Sequence, residues 1–320
     1  MMRPPGHPIA LSEFETDVFT GLTKDPQKEL YSKYFYDDLG TALFEAITLL
    51  PEYGLTRADM RLLRKHSGEL PERVGEVSMI VELGSGSGEK AREVLPAFLK
   101  SHRLTYTPID VSAAALRRCQ RDLDHLQHLR TIPIRASYIE GLAAASNLRS
   151  PGTRMLVLFL GSSIGNFEPH VADTFLNDVR RKLHSGDGFL LSTDLVKPTG
   201  QMLPAYDDAL GVTAAFNLNL LARINRELQG TFDLKNFEHE VRYDETEQRI
   251  EMHLRARVAH TVSVNNLSVS FEKGETIWTE SSYKFRPEQI RELSARAKFH
   301  CEAQWIDAEW PFMQSLLRAV

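Results

Sequence analysis

The chain has 320 residues, 42% hydrophobic and 25% charged, the make-up of one large or two ordinary globular domains, which excludes disorder, collagen and coiled coil. Its 38 basic and 43 acidic side chains leave a formal charge of -5, which excludes the strongly basic face of a nucleic-acid binder and favours a small-molecule partner. Two cysteines are too few for a disulfide framework, and neither the start MMRPPGHPIALSEF nor any later run is apolar enough for a signal peptide or a membrane span, so a cytoplasmic location is expected; the protein is further expected to be a monomer.

The N-terminal stretch, rich in aromatics around YSKYFYDDLGTALFEAITLLPEYGLTRADM, predicts helices with one aromatic loop. Five short apolar runs follow: VSMIVELG ending at Gly84, RLTYTPID ending at Asp110, RTIPIRA ending at Ala136, MLVLFLG ending at Gly161 and GFLLSTDL ending at Leu195. Between them EKAREVLPAFLKSH, SAAALRRCQRDLDHLQHL and HVADTFLNDVRRKLHS have helical spacing, the second with Ser112 as its N-cap. Such alternation predicts a doubly wound parallel sheet with helices on both faces.

After Leu195 the pattern changes. A helix over VTAAFNLNLLARINREL gives way to alternating polar and apolar residues with turns at Asp244 and Gly274, as in antiparallel strands. The stretch from about Val196 to Ser282 is predicted to be an inserted α+β lid. RPEQIRELSARAKF resumes a helix, and HCEAQWIDAEWPFMQSLLRAV a closing strand hairpin. The expected domains are therefore 1–195, N-terminal helices plus an α/β cofactor domain; 196–282, the insertion; and 283–320, the return to the α/β domain.

VELGSGSGEK runs from a strand straight into Gly84, Gly86 and Gly88 and then a helix, and glycine there lets a ligand approach the backbone. A dinucleotide fingerprint would place its third glycine where Glu89 stands, and no phosphate-loop GKS/T is present. The loop fits the GxGxG of class I S-adenosylmethionine (AdoMet) methyltransferases, with Glu82 before it and Asp110 ending the next strand to accept from ribose hydroxyls. The bland alternative is a tight strand-to-helix turn. Gly161 to Gly165 also match the GxSxG nucleophile elbow, with Ser163 as nucleophile. An elbow turns at once into a helix, whereas here Asn166, Phe167 and Glu168 intervene, so the next helix should start near Pro169, and GSSIGN should flank a methyl acceptor. The histidines form no metal set: HEVRY at His239 lacks the second ligand of HExxH. His125 and His128, and the basic pairs on the helices, are expected on solvated faces.

Taken in order, KYFYDDLGTALFEAITLLPEYGLTR, VELGSGSGEK, FLGSSIGNFEP, IEMHLRA and TESSYKF resemble one family over nearly the whole chain: the histidine Nα-methyltransferases of ergothioneine biosynthesis, with fungal relatives that methylate tryptophan derivatives. The resemblance implies a class I methyltransferase fold with a substrate-binding lid, and trimethylation of the α-amine of free L-histidine to hercynine. It implies that Tyr36 and Phe44 cover the reactants, and that Gly84, Gly86, Lys90 and Asp110 hold AdoMet or its product S-adenosylhomocysteine. Tyr53, Gly161, Asn166 and Tyr206 would grip the substrate's carboxylate and amine, Asn166 and Tyr36 orienting the amine for transfer. Met252, Glu280 and Ser282 would line the imidazole end. Where the family usually has an acidic residue and an aromatic for the adenine, this chain has Ser137 and Tyr138. In a strand Glu280 and Ser282 share a face and Ser281 opposes them. The rival readings are methylation of another aromatic amino acid such as tryptophan, a serine hydrolase using Ser163, and an AdoMet-sensing module without catalysis.

Overall fold

The computed structural model describes residues 12–99 and 103–320. The expectation for the first eleven residues, and the end of the EKAREVLPAFLKSH helix, lie outside them. Contacts divide the chain into two compact units, 1–47 with 206–242 and 251–280, and 48–205 with 243–250 and 281–320. Of the first 47 residues, the described ones, 12–47, thus group with the later insertion rather than with the α/β domain expected for 1–195. The physical reason is non-local pairing: strand β1 (Lys28–Glu29) runs parallel to Ile277 and Trp278 of a strand some 250 residues later.

In the smaller unit, β8 (Phe237–Asp244), β9 (Arg249–Ala256) and β12 (Thr276–Tyr283) form with β1 a sheet ordered β1-β12-β9-β8, and β10 (His260–Val264) and β11 (Leu267–Phe271) form a separate antiparallel hairpin. The chain crosses between units within β8, β9 and β12, of which Tyr243–Asp244, Arg249–Ile250 and Ser281–Tyr283 are counted with the larger unit. Helix Val212–Glu227 buries Phe216, Leu220 and Ile224, a stripe at helical spacing.

The larger unit holds β2 (Val77–Leu83), β3 (Leu104–Asp110), β4 (Leu129–Thr131), β5 (Ile134–Arg135), β6 (Arg154–Phe159), β7 (Gly188–Asp194), β13 (Phe299–Ile306) and β14 (Phe312–Ala319). Their order is β13-β14-β7-β6-β2-β3-β4, with β5 on β3; β2, β3, β4, β6 and β7 are parallel, and β13 and β14 close the edge antiparallel, as the predicted hairpin. Both faces are buried: Met155, Val157 and Phe159 of β6 pack to one core, Leu156 and Leu158 to the other. The run RTIPIRA is two short strands rather than one, because Pro133 has no N–H for the ladder. Ser112 caps its helix by accepting from Ala115 N at 3.2 Å, and a helix starts at Pro169, both as predicted. His125 and His128 lie beyond the helix Ala113–Leu123 instead of on it, and His128 has φ 66°. Among the described residues no helix is long and apolar enough to cross a membrane.

Candidate active site

The glycine loop follows β2 at its carboxyl end. Gly84, Gly86 and Gly88 all have positive φ, a region costly to residues with a Cβ. A Cβ on Gly88 would meet Cys119 Sγ at 2.5 Å, so this glycine serves packing, whereas a Cβ on Gly86 would meet nothing within 4 Å. Gly86 therefore lines open space, as a close-approach position for a ligand must. Asp110 ends β3 and organises the loop: its Oδ2 accepts from Gly86 N at 3.0 Å and its Oδ1 from Ser112 N at 2.8 Å. Each carboxylate oxygen retains a second lone pair for a ligand hydroxyl. Tyr138 closes the other side of the loop, 3.2 Å from where a Cβ on Gly84 would stand, its ring edge-on to Phe159. Burial, and then Asp110, push its phenol up to about 12, so it stays neutral. Ser137 is exposed and bonds Glu140 Oε2 at 2.7 Å.

Behind the loop, Glu82 is 2% exposed and accepts from Tyr106 Oη. Desolvation pushes its carboxyl up to about 7, against the smaller pull of Tyr106 and Lys90.

Lys90 and Gly161 meet at a residue that no sequence motif singles out. Asp59, on helix Gly54–His66 that Tyr53 begins, is fully buried. Its Oδ2 pairs with Lys90 Nζ at 2.8 Å and accepts from Gly161 N at 2.9 Å; its Oδ1 accepts from Ser192 Oγ at 2.7 Å and Gln314 Nε2 at 2.6 Å. One carboxylate thus ties the start of the helix after the glycine loop to the loop after β6. No local pattern marks Asp59, because its partners come from four distant segments.

The loop after β6 is not a nucleophile elbow. Ser162 has φ 64° and its Oγ accepts from Asp194 N at 2.8 Å, while Ser163 to Asn166 form a short 3-10 turn. The Ser163 hydroxyl donates to Leu160 O at 3.4 Å and meets no histidine base among the described residues, so the hydrolase reading fails on its own requirement. Gly165 packs on β12, where a Cβ would stand 2.9 Å from Tyr283 O. Beyond it, Tyr283 Oη donates to Glu168 Oε2 at 2.6 Å and accepts from Arg249 Nη1 at 2.7 Å. The Asn166 loop is therefore fastened to the strand that carries Ser282.

The remaining expected residues lie in the smaller unit. Tyr36 and Phe44 pack edge-on at 5.6 Å, both beside Phe216. Asp37 holds that segment, accepting from Gly40 N, Asn219 Nδ2 and Arg226 Nη2; burial raises its carboxyl, but these partners more than offset it and leave it lowered. His239, which failed as a metal ligand, braces Tyr206 instead. Its Nε2 bonds Tyr206 O at 2.8 Å and its Nδ1 faces Asn217 Nδ2 at 2.9 Å. Desolvation lowers its affinity for a second proton, and the two bonds fix the neutral tautomer with Nε2–H toward Tyr206. Met252 is buried on β9, its carbonyl accepting from Thr279 Oγ1 at 3.0 Å, and Glu280 O accepts from Trp278 Nε1 at 3.0 Å.

Residues 14–319 match the family described as histidine-specific, SAM-dependent methyltransferases. Histidine N-alpha-methyltransferase of Mycolicibacterium smegmatis is 42% identical over 96% of this chain and 95% of its own length. Its counterpart in Mycobacterium tuberculosis is 40% identical over 94% of this chain and 93% of its own. Ergothioneine biosynthesis protein 1 of Schizosaccharomyces pombe is 29% identical over 85% of this chain and 36% of that longer protein.

Proposed function

This chain belongs to the histidine-specific, S-adenosylmethionine-dependent methyltransferases, and from that premise we propose how its residues trimethylate the α-amine of free L-histidine to hercynine. The observation that carries the proposal is the Asp59 carboxylate, which holds together Lys90, at the far end of the glycine loop after β2, and the Gly161 amide, just after the neighbouring strand β6. It supports a cofactor side and an acceptor side set next to each other. The open space at Gly86 and the spare lone pairs of Asp110 suit the cofactor.

In this reading Gly84, Gly86, Lys90 and Asp110 hold AdoMet, Ser137 and Tyr138 its adenine, and Tyr36 and Phe44 exclude water. AdoMet, when bound, supplies an already activated methyl group on a sulfonium cation. The protein contributes alignment and desolvation rather than covalent chemistry. The α-amino group of a peptide titrates at about 7.7 to 8.0, and that of a free amino acid higher because its own carboxylate favours the ammonium; a neighbouring sulfonium cation lowers it again, so no strong general base is invoked. Asn166 and Tyr36 orient the amine's lone pair, while Tyr53, Gly161 and Tyr206 hold the carboxylate and amine. Met252, Glu280 and Ser282 line the imidazole end. We place the enzyme in the cytoplasm, a reading supported by the free thiols of Cys119 and Cys301, and take it to act as a monomer.

The test is Asn166→Ala, followed by calorimetry with AdoMet and mass spectrometry of methylated histidine. Methylation should collapse while AdoMet affinity stays within about threefold of the parent, since the loss is confined to the acceptor. Unchanged methylation would remove Asn166 from the site.

A further inference from the structure

Tyr206 is the residue at which the chain re-enters the smaller unit, and β8 takes hold of its main-chain carbonyl, which lies 2.8 Å from His239 Nε2. Which ring nitrogen carries the proton is decided one residue further away. Asn217, fully buried on helix Val212–Glu227, uses both hydrogens of its amide, one toward His239 Nδ1 at 2.9 Å and one toward His253 O of β9 at 3.1 Å. A carbonyl only accepts, so the amide cannot turn over without setting its Oδ1 against His253 O. Nδ1 of His239 must therefore accept, and the ring proton stands on Nε2, facing Tyr206. Asn217 Oδ1 itself is out of water with no partner. An apolar side chain of the same size would avoid that desolvation, so what the amide contributes is its two donors. Two residues after Tyr206, Asp208 caps the same helix, accepting from Val212 N at 3.0 Å and Thr213 N at 2.7 Å. The loop is thus held at Asp208 by the helix and at Tyr206 by the imidazole.

We infer that His239 is a positioning residue for the substrate's amino acid head: oriented by Asn217, its Nε2–H fixes the peptide after Tyr206 and with it the direction of the Tyr206 side chain. The inference rests on the reading of Tyr206 as a contact to that head. His239 acts through the main chain. The peptide unit is planar, so a donor fixed on the Tyr206 carbonyl limits rotation about the bond between its Cα and its carbonyl carbon, one of the two soft torsions that aim the residue. A small misplacement of a group that holds the substrate is costly even when its cause lies outside the reacting atoms. The two ring nitrogens have separable duties. Nδ1 ties β8 to the helix, which is a matter of stability, whereas Nε2 alone reaches Tyr206.

The test exploits that separation. His239→Gln sets an amide N–H where Nε2–H stands and gives up the acceptor at Nδ1; His239→Asn keeps an acceptor at Nδ1 and gives up the donor to Tyr206. Tyr206→Phe removes the hydroxyl but leaves the carbonyl on His239. Asn225→Ala deletes two bonds to the Phe232 main chain near the other end of the helix and measures a general loss of stability. Histidine affinity is read by calorimetry with S-adenosylhomocysteine present, beside KM, at a temperature where urea unfolding shows every variant folded. His239→Asn and Tyr206→Phe should each raise the Kd and KM for histidine about tenfold, with AdoMet affinity unchanged. His239→Gln and Asn225→Ala should stay within about threefold of the parent, and the double variant Tyr206→Phe/His239→Asn should be no weaker than Tyr206→Phe. Equal losses in His239→Gln and His239→Asn, an equal loss in Asn225→Ala, or losses that multiply in the double variant would overturn the inference, because the ring would then act through packing or its tie to the helix. Nitrogen-15 spectra of the parent, with the His239 signal identified by its absence in His239→Gln, should show the proton on Nε2; a proton on Nδ1 alone would overturn the inference however the variants fold. If Tyr206→Phe weakens histidine and His239→Asn does not, the inference alone falls. Parental affinity in Tyr206→Phe would remove the reading of Tyr206, and the inference with it.

Discussion

Replacing Asp59 should disable the enzyme by loosening its frame, although Asp59 is in none of the proposed substrate or cofactor contacts. Asp59→Ala removes an acceptor for four donors: the Lys90 ammonium, the Gly161 amide, the Ser192 hydroxyl and the Gln314 amide. Hydrogen bonds to a charged group contribute about 1.5 to 3 kcal/mol each, but the four are not additive, because Gln314 and Ser192 can turn toward each other. Lys90 keeps 22% of its side chain exposed and recovers part of its solvation from water. Breaking a buried ion pair from one side costs about 3 to 5 kcal/mol, and that is the loss expected here, a large share of the roughly 5 to 15 kcal/mol that stabilises a typical protein. Asp59→Asn keeps the shape and half of the acceptor capacity, and should lose less. Urea midpoints for the three proteins give the stabilities, and calorimetry at a temperature where all are folded gives AdoMet affinity, which should fall in both variants as Lys90 loses its anchor. A loss under about 1 kcal/mol in Asp59→Ala, with AdoMet affinity unchanged, would refute the idea that this carboxylate sets the site.

Gly86→Val should keep its fold, since a Cβ there meets nothing, yet lose AdoMet affinity by roughly tenfold or more, because φ 51° strains a β-branched residue in the approach path; titration calorimetry reads it. Glu280→Ala should lower kcat/KM for histidine and raise the relative value for tryptophan, further when Met252 is trimmed to Val; an unchanged ratio would return Glu280 to the status of a solvated charge. Glu82 holds its proton up to about pH 7 when folded and only to its ordinary 4.5 when unfolded, so its contribution is lost as pH rises through that window. At about 1.4 kcal/mol per pH unit the change is about 3 kcal/mol, and urea midpoints of Glu82→Gln between pH 5 and 7.5 should lack that decline.

The parts of the site that were legible in the sequence are those that local chemistry dictates. A strand running into alternating glycines, an acidic residue at the next strand's end, Ser112 before a helical run and Pro169 at a helix start each carry their signal within a few residues, and each stands where it was expected. What escaped is held by partners far apart in the chain. Asp59 reaches Lys90, Gly161, Ser192 and Gln314, and Asp194 reaches Lys284 and Trp310; a single aspartate in a helix or at a strand end announces none of this. The grouping of residues 12–47 with the insertion depends on the pairing of Lys28 with Ile277, beyond any period that composition or spacing could reveal. His239 was visible as a histidine without a metal partner, but its bond to the Tyr206 carbonyl needed the fold.

Methylation of the α-amine of free histidine is tested most directly by competition. The protein is incubated with AdoMet and an equimolar mixture of free amino acids, and every product is followed by mass spectrometry. Histidine should be consumed first, gain one, two and then three methyl groups on its α-nitrogen, and accumulate as hercynine while tryptophan and the aliphatic amino acids stay largely unmodified. Methylation of another amino acid in preference to histidine, or none of histidine by a protein that binds AdoMet, would contradict the assignment.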